Sequence, residues 1–246
     1  MKPKKKILIA DDTLPLRVML EEVLTDAGYE VYTAGDGLEA WEFLSNPQNQ
    51  IDLLVLDLLM PRMSGFEVLR RIKEEGKKNF YILVISGVFR SSKEILKLKE
   101  LGADGYLSKA SVVDEILYRV NSIFYRHLEK KRRHPRVIYN LPVEFQFNSH
   151  RHSSYTTTIS LGGCFIRTLK PAPEGAHITI WLTLPESKKQ ICGKARVAWV
   201  NLYDENRKPN ALPGMGVEFI SLAEEDQKLL KQIIEKKLKE EAIWQT

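Results

Sequence analysis

Two hydrophobic rhythms divide this chain. Over residues 1 to about 125, short apolar runs alternate with segments whose apolar residues recur three and four positions apart. The runs "KILIA", "EVYTA", "IDLLVL", "YILVIS" and "GYLS" have strand length. Between the first two, Leu16, Met19, Leu20, Val23, Leu24 and Ala27 share one helical face. Capping-box spacing at Ser64/Glu67 and Ser91/Glu94 marks two further helix starts. Strands alternating with helices predict a parallel sheet covered on both faces. A last helix of this half begins near Val113 and carries Ile116, Leu117, Val120, Ile123, Phe124 and Leu128 on one side. It is expected to stop before Pro135, because residues ahead of proline disfavour helical geometry. No Gly/Ser-rich linker follows, so the junction reads as semi-rigid.

From Val137 the period becomes two. "VIYNLPVEFQF", "SYTTTIS", "CFIRTL", "HITIWLTL", "CGKARVAWVN" and "GVEFI" read as strands, and "LGG", "KPAPEG" and "KPNALPG" as turns. In "HITIWLTL", Ile178, Ile180, Leu182 and Leu184 alternate with Thr179, Trp181 and Thr183. Six short strands predict a small barrel or sandwich. Ser221/Glu224 has capping-box spacing for a terminal helix, with Leu230, Ile234 and Leu238 on one face. That face either closes the barrel or meets a second copy in a homodimer.

The totals narrow the class. A length of 246 residues fits two domains, and 43% hydrophobic with 28% charged residues excludes a disordered chain. A net charge of +5 is too small by itself to imply a nucleic-acid binder. No apolar run could span a bilayer, and the "ILIA" of "MKPKKKILIADD" runs directly into two aspartates, unlike a secretory signal. A cytoplasmic protein without membrane insertion is expected. The two cysteines, Cys164 and Cys192, imply no disulfide framework and read as packing residues in strands. His150 and His152 fall in what reads as a polar loop.

In parallel α/β sheets, functional groups collect past the carboxyl ends of the strands. Here those ends carry Asp11 and Asp12, Asp57, Ser86 and Lys109. Clustered carboxylates repel unless a hard divalent cation lies between them, and oxygen ligands suit Mg²⁺. One carboxylate could then attack a phosphoryl donor, with lysine and hydroxyl meeting the phosphoryl oxygens. Taken singly, an aspartate such as Asp12 could equally cap a helix.

With "ILIADD", "LVLDLLMPRMSGFEVLRRIK", "VISG" and "GADGYLSKA", the first half resembles the receiver domain of bacterial response regulators. The resemblance implies a doubly wound five-stranded domain with Asp57 as phosphoacceptor. It implies Asp11, Asp12 and Asp57 as Mg²⁺ ligands, and Ser86, Tyr106 and Lys109 as switch and phosphoryl contacts. A sensor histidine kinase is the implied donor. Ala110 stands where receivers commonly have proline.

In the second half, "EKKRRHPRV" packs cations around Pro135, and "TISLGG" joins hydroxyls to a glycine turn that a ligand could approach closely. Guanidinium groups suit phosphate oxygens and the O6/N7 edge of guanine. No pair of acids, Cys/His metal spacing or P-loop accompanies them, so this half reads as a binding module and not an enzyme. No helix-turn-helix pattern supports a specific DNA contact. "RRHPRV", "TISLGGCFI", "GKARVAWV" and "GMGVEF" resemble the PilZ domain, a family of cyclic di-GMP receptors. The resemblance implies a ligand site of Arg132, Arg133, Arg136, Thr158, Ser160 and Gly163. Thr158 stands where the family has Asp or Asn; it offers one oxygen where those offer fuller engagement of the guanine edge. Losing such a contact costs about 1.5–3 kcal/mol, roughly tenfold to a hundredfold in affinity.

The expected protein is therefore a response regulator with three parts. These are a receiver over 1–125, a helix end and basic arm over 126–136, and a six-stranded barrel with terminal helix over 137–246. It would signal to an unknown downstream protein. The alternative is a phosphorylation-controlled adaptor whose PilZ domain binds no nucleotide.

Overall fold

The five apolar runs of the first half form β1 (Lys6–Ala10), β2 (Glu30–Ala34), β3 (Leu53–Asp57), β4 (Tyr81–Ser86) and β5 (Gly105–Ser108), all parallel, in the order β2-β1-β3-β4-β5. This computed structural model describes residues 4–76, 78–87, 92–109, 113–125, 133–185, 189–204 and 212–242. It divides into two units, Met1–Leu117 and Tyr118–Gln245. β3 is buried at all five positions, as expected for a central strand covered on both sides. Around the sheet run α1 (Leu14–Asp26), α2 (Gly37–Ser45), α3 (Gly65–Glu74), α4 (Ser92–Glu100) and α5 (Val113–Phe124).

The order places the topological switch between β1 and β3, where the chain leaves neighbouring strands in opposite directions. The expected capping box at Ser64 is formed in both directions with Glu67. Ser91 of the second one lies outside the described residues. In α5, Ile116, Leu117, Val120 and Ile123 are buried. Its expected extension to Leu128 also falls outside them.

The second unit holds seven antiparallel strands. They are β6 (Val137–Ile138), β7 (Pro142–Phe147), β8 (His150–Ser160), β9 (Gly163–Arg167), β10 (His177–Thr183), β11 (Gln190–Asn201) and β12 (Gly214–Leu222). Six of them close a barrel in the order β8-β7-β10-β11-β12-β9, with β9 returning to β8, and the short β6 adds to β8. The sequence read β6 and β7 as one strand. They are two because the buried Thr156 hydroxyl stands between them, donating to Tyr139 O at 2.6 Å and accepting from Leu141 N at 3.0 Å.

Other expectations are corrected. His150 and His152 are not in a loop but in β8, and the His152 ring stacks on Phe145 at 4.9 Å. Cys192 is exposed, because it occupies an outward position of β11, whereas Cys164 is buried in the barrel. Burial pushes the Cys164 thiol up to about 12, against a small opposing pull from Arg136. The terminal helix α6 (Glu224–Ala242) opens without the Ser221/Glu224 box. Ser221 is still paired in β12 with Lys194, so the cap position falls to Ala223, whose carbonyl accepts from Gln227 N at 2.9 Å.

The apolar face of α6 settles between the two alternatives left by the sequence. Leu230 and Ile234 join the same buried cluster as Phe145, Ile180 and Ile191, so this face stoppers the barrel. Phe145 is fully buried at the centre of that cluster. Phe145→Ala is expected to cost about 3–5 kcal/mol, seen in urea denaturation of the full chain as an earlier barrel transition with the first unit's transition unmoved.

Candidate functional sites

The first candidate site forms where β1 and β3 end side by side. Asp57 is the last residue of β3, and Asp11 and Asp12 follow β1, its parallel neighbour. Ligand oxygens of the three carboxylates come within 4.8 Å of one another. Asp12 does not cap α1: Thr13 holds that position and makes no side-chain cap bond. Asp11 is instead held by Thr13 N, which donates to its Oδ1 at 2.8 Å, and Asp57 by Leu58 N at 2.7 Å.

Lys109, at the end of β5, reaches into the cluster. Its Nζ lies 2.7 Å from Asp57 Oδ2, 2.9 Å from Asp11 Oδ2 and 4.0 Å from Asp12 Oδ1. Burial pushes the Asp57 carboxyl above the usual carboxylate range, and the Lys109 ammonium offsets only part of this. Burial alone would lower Lys109, but its bonds to Asp57 and Asp11 prevail and hold it above its ordinary value. Ser86 ends β4, one position beyond the Ile85 that pairs with Asp57, and is fully buried. Its carbonyl accepts from Lys109 N at 3.1 Å and from the Tyr106 hydroxyl at 3.0 Å. All six residues thus gather at one sheet edge. Three oxygen donors this close fit a hard divalent cation better than a bare pair of acids would.

Sequence reasoning missed a clamp on the loop after Asp57. Arg62 has φ 62°, left-handed for a non-glycine residue. Its guanidinium donates to Asp36 and, at 2.7 Å, to Glu39 Oε1. Asp36 in turn caps α2 by accepting from Leu38 N and Glu39 N. The clamp ties residues 26 positions apart, and no local pattern signals it.

The second candidate site lies on the barrel. Thr158 and Ser160 are only 3% and 4% exposed. Thr158 pairs with Ile138 and Phe165, and Ser160 Oγ donates to Gly163 O at 3.1 Å. Arg132 lies outside the described residues; Arg133 is exposed and Arg136 half-buried. The adjacent glycines have different tasks. A Cβ on Gly163 would stand 2.0 Å from Val217 O of β12, so this glycine serves the barrel's own closure. A Cβ on Gly162 would stand 2.9 Å from His134 Cδ2, so the His134 ring lies directly over the turn. Beside the turn, a groove of about 610 Å³ runs between His134, Leu161, Phe219 and the first turns of α6.

Residues 7–121 match the model of the response regulator receiver domain, and residues 130–236 that of the PilZ domain. The chain is similar to Response regulator MprA of Mycobacterium sp. (strain KMS) and of Mycobacterium leprae (strain TN). Each is 36% identical over 121 residues, covering 49% of this chain and 51% of the relative. The chain therefore spans about half the length of the curated relatives it matches. Among solved structures, the Francisella response regulator 1452 receiver domain is 27% identical. It covers 50% of this chain and 99% of its own, with a TM-score of 0.47. Among the described residues, no helix is long and apolar enough to cross a membrane.

The two glycines yield opposite expectations. Gly163→Ala must displace backbone and is expected to destabilise the barrel by about 1–3 kcal/mol. Gly162→Ala meets only a movable imidazole. It should leave the barrel's melting temperature unchanged while shifting the ring resonances of His134. Thermal melts and side-chain NMR of the two variants check both.

Proposed function

We propose that this chain, a response regulator receiver domain followed by a PilZ domain, is a two-component response regulator that takes a phosphoryl group on Asp57 and binds cyclic di-GMP on its barrel. The receiver would occupy 1–125, the helix end and basic arm 126–136, and the barrel with its helix 137–246. Output would pass through contacts with a downstream protein.

The acid cluster with its embedded ammonium supports the first half of this reading. Asp11, Asp12 and Asp57 would hold Mg²⁺, which when bound neutralises phosphoryl oxygens. A carboxylate oxygen of Asp57 attacks the phosphorus of a phosphohistidine on a sensor histidine kinase. The phosphorus–nitrogen bond breaks and the imidazole leaves. Lys109 already lies at Asp57 Oδ2 and needs little movement to pair with the new phosphoryl oxygens. Ser86 supplies a hydroxyl from the adjacent strand end. The Tyr106 bond to its carbonyl links that position to the ring that would report the switch.

The observation that carries the second half is the His134 ring lying over the β8–β9 turn, above Gly162. Arg133 and Arg136 flank that imidazole, and Arg132 precedes them. Together these guanidinium groups would grip phosphates and guanine edges over the turn shaped by Thr158, Ser160 and Gly163. The alternative, an adaptor blind to nucleotide, is favoured by one feature: Thr158 brings no carboxylate or amide to the turn.

Two measurements test the reading. With a small acyl phosphate and Mg²⁺, wild type should gain the mass of one phosphoryl group, and Asp57→Asn none. Labelling of Asp57→Asn would refute the phosphoacceptor. In calorimetry on the full chain, cyclic di-GMP should bind wild type, and Arg136→Ala should weaken it by about tenfold to a hundredfold. No heat with wild type would leave the adaptor.

A further inference from the structure

The groove beside the turn holds the chemistry that the turn itself lacks. Its near wall is His134 of the arm, its floor includes Leu161 and Phe219, and its far wall is α6 with Glu224, Lys228 and Lys231. It is continuous with the proposed nucleotide site through His134 and Leu161, and Phe219 N donates to Gly162 O at 2.9 Å, fixing the floor to the turn. A volume of about 610 Å³ suits a base with its sugar-phosphate.

Glu224 is the decisive residue. It is exposed, and because Ser221 stays in β12 it is released from the capping box its spacing predicts. Its side chain makes no hydrogen bond or ion pair with any described residue. Lys228 likewise has no described partner, and Lys231 has only a 3.9 Å approach to Glu235. The neighbouring Asp226 is already engaged by Lys189 at 3.2 Å. One free carboxylate therefore shares a groove with two lysines and an imidazole.

We propose that the groove receives a guanine of the bound dinucleotide, with Glu224 accepting from its N1–H and N2–H and Lys228 and Lys231 facing its phosphate. This rests on the reading of the barrel as a cyclic di-GMP receptor and deepens it. An ionised carboxylate has two acceptor oxygens and no donor, matching the paired donors of guanine. Adenine has no N1–H and presents N1 as an acceptor to the same carboxylate, so Glu224 also selects between purines. The acid absent at Thr158 is thus supplied from a different element, across the turn. The lysines offset the charge of a phosphodiester, and the apolar floor and His134 ring cover the base faces.

Calorimetry on the full chain tests this, with cyclic di-GMP and cyclic di-AMP titrated separately into wild type, Glu224→Ala, Glu224→Gln, Arg136→Ala and the Lys228→Ala/Lys231→Ala double variant. Glu224→Ala should weaken cyclic di-GMP by about tenfold to a hundredfold. It should leave cyclic di-AMP unchanged or stronger, so that discrimination collapses. Glu224→Gln should fall between, since its one carbonyl keeps one of two bonds. The double lysine variant should weaken both nucleotides and flatten the salt dependence. Unchanged ligand-free melting temperatures exclude misfolding as the cause, because all three residues are exposed. Wild-type affinity in Glu224→Ala, beside a weakened Arg136→Ala, overturns the role of Glu224 and leaves nucleotide binding standing. No binding by wild type overturns both.

Discussion

Both candidate sites hang on backbone approaches too close for any side chain. A Cβ at Gly65 would stand 2.0 Å from the carbonyl oxygen of Asp57, and one at Gly163 the same distance from that of Val217. In the first unit this contact folds the loop after Asp57 back onto β3, where Gly65 N donates to Leu58 O at 3.0 Å. The amide of Leu58 is thereby fixed on the Asp57 carboxylate. In the second unit the contact seats the start of β9 against β12 and closes the ring of strands. Each glycine is thus a packing requirement first, and the chemistry beside it inherits a fixed geometry.

The two sites have opposite electrostatic needs. The sheet edge gathers three acids around one lysine, leaving negative charge that a divalent cation would balance. Burial there raises Asp57, so the carboxylate is held at a cost that the neighbouring ammonium reduces. On the barrel, the groove sets Lys228 and Lys231 of α6 beside the Glu224 carboxylate and the His134 ring. The same chain therefore presents three clustered acids around one lysine at the sheet edge and, on the barrel, one carboxylate beside two lysines.

Much of this was legible locally. Strand-length apolar runs ending in Asp, Ser and Lys located the first site, because parallel topology carries all strand ends to one edge. The period-two pattern of "HITIWLTL" became a strand with Ile178, Ile180 and Leu182 buried and the residues between them only half-covered. What failed did so where a distant partner overruled a local signal. Thr156 divided an apparent single strand by bonding Tyr139 and Leu141. His152 sits in a strand, paired across the ladder with Phe145 and stacked on its ring. Continued pairing with Lys194 kept Ser221 from capping α6.

The sequence by itself determined the two architectures and the identity of the acids, lysine and arginines, because periodicity, strand ends and short motifs are properties of neighbouring residues. Only the tertiary structure decided what those residues meet. The ring closure that assigned Gly163 to packing, the clamp from Arg62 to Asp36, and the groove joining His134 to Glu224 each connect residues far apart in the chain. Such contacts are selected by the whole folded packing, and no window of sequence contains both partners.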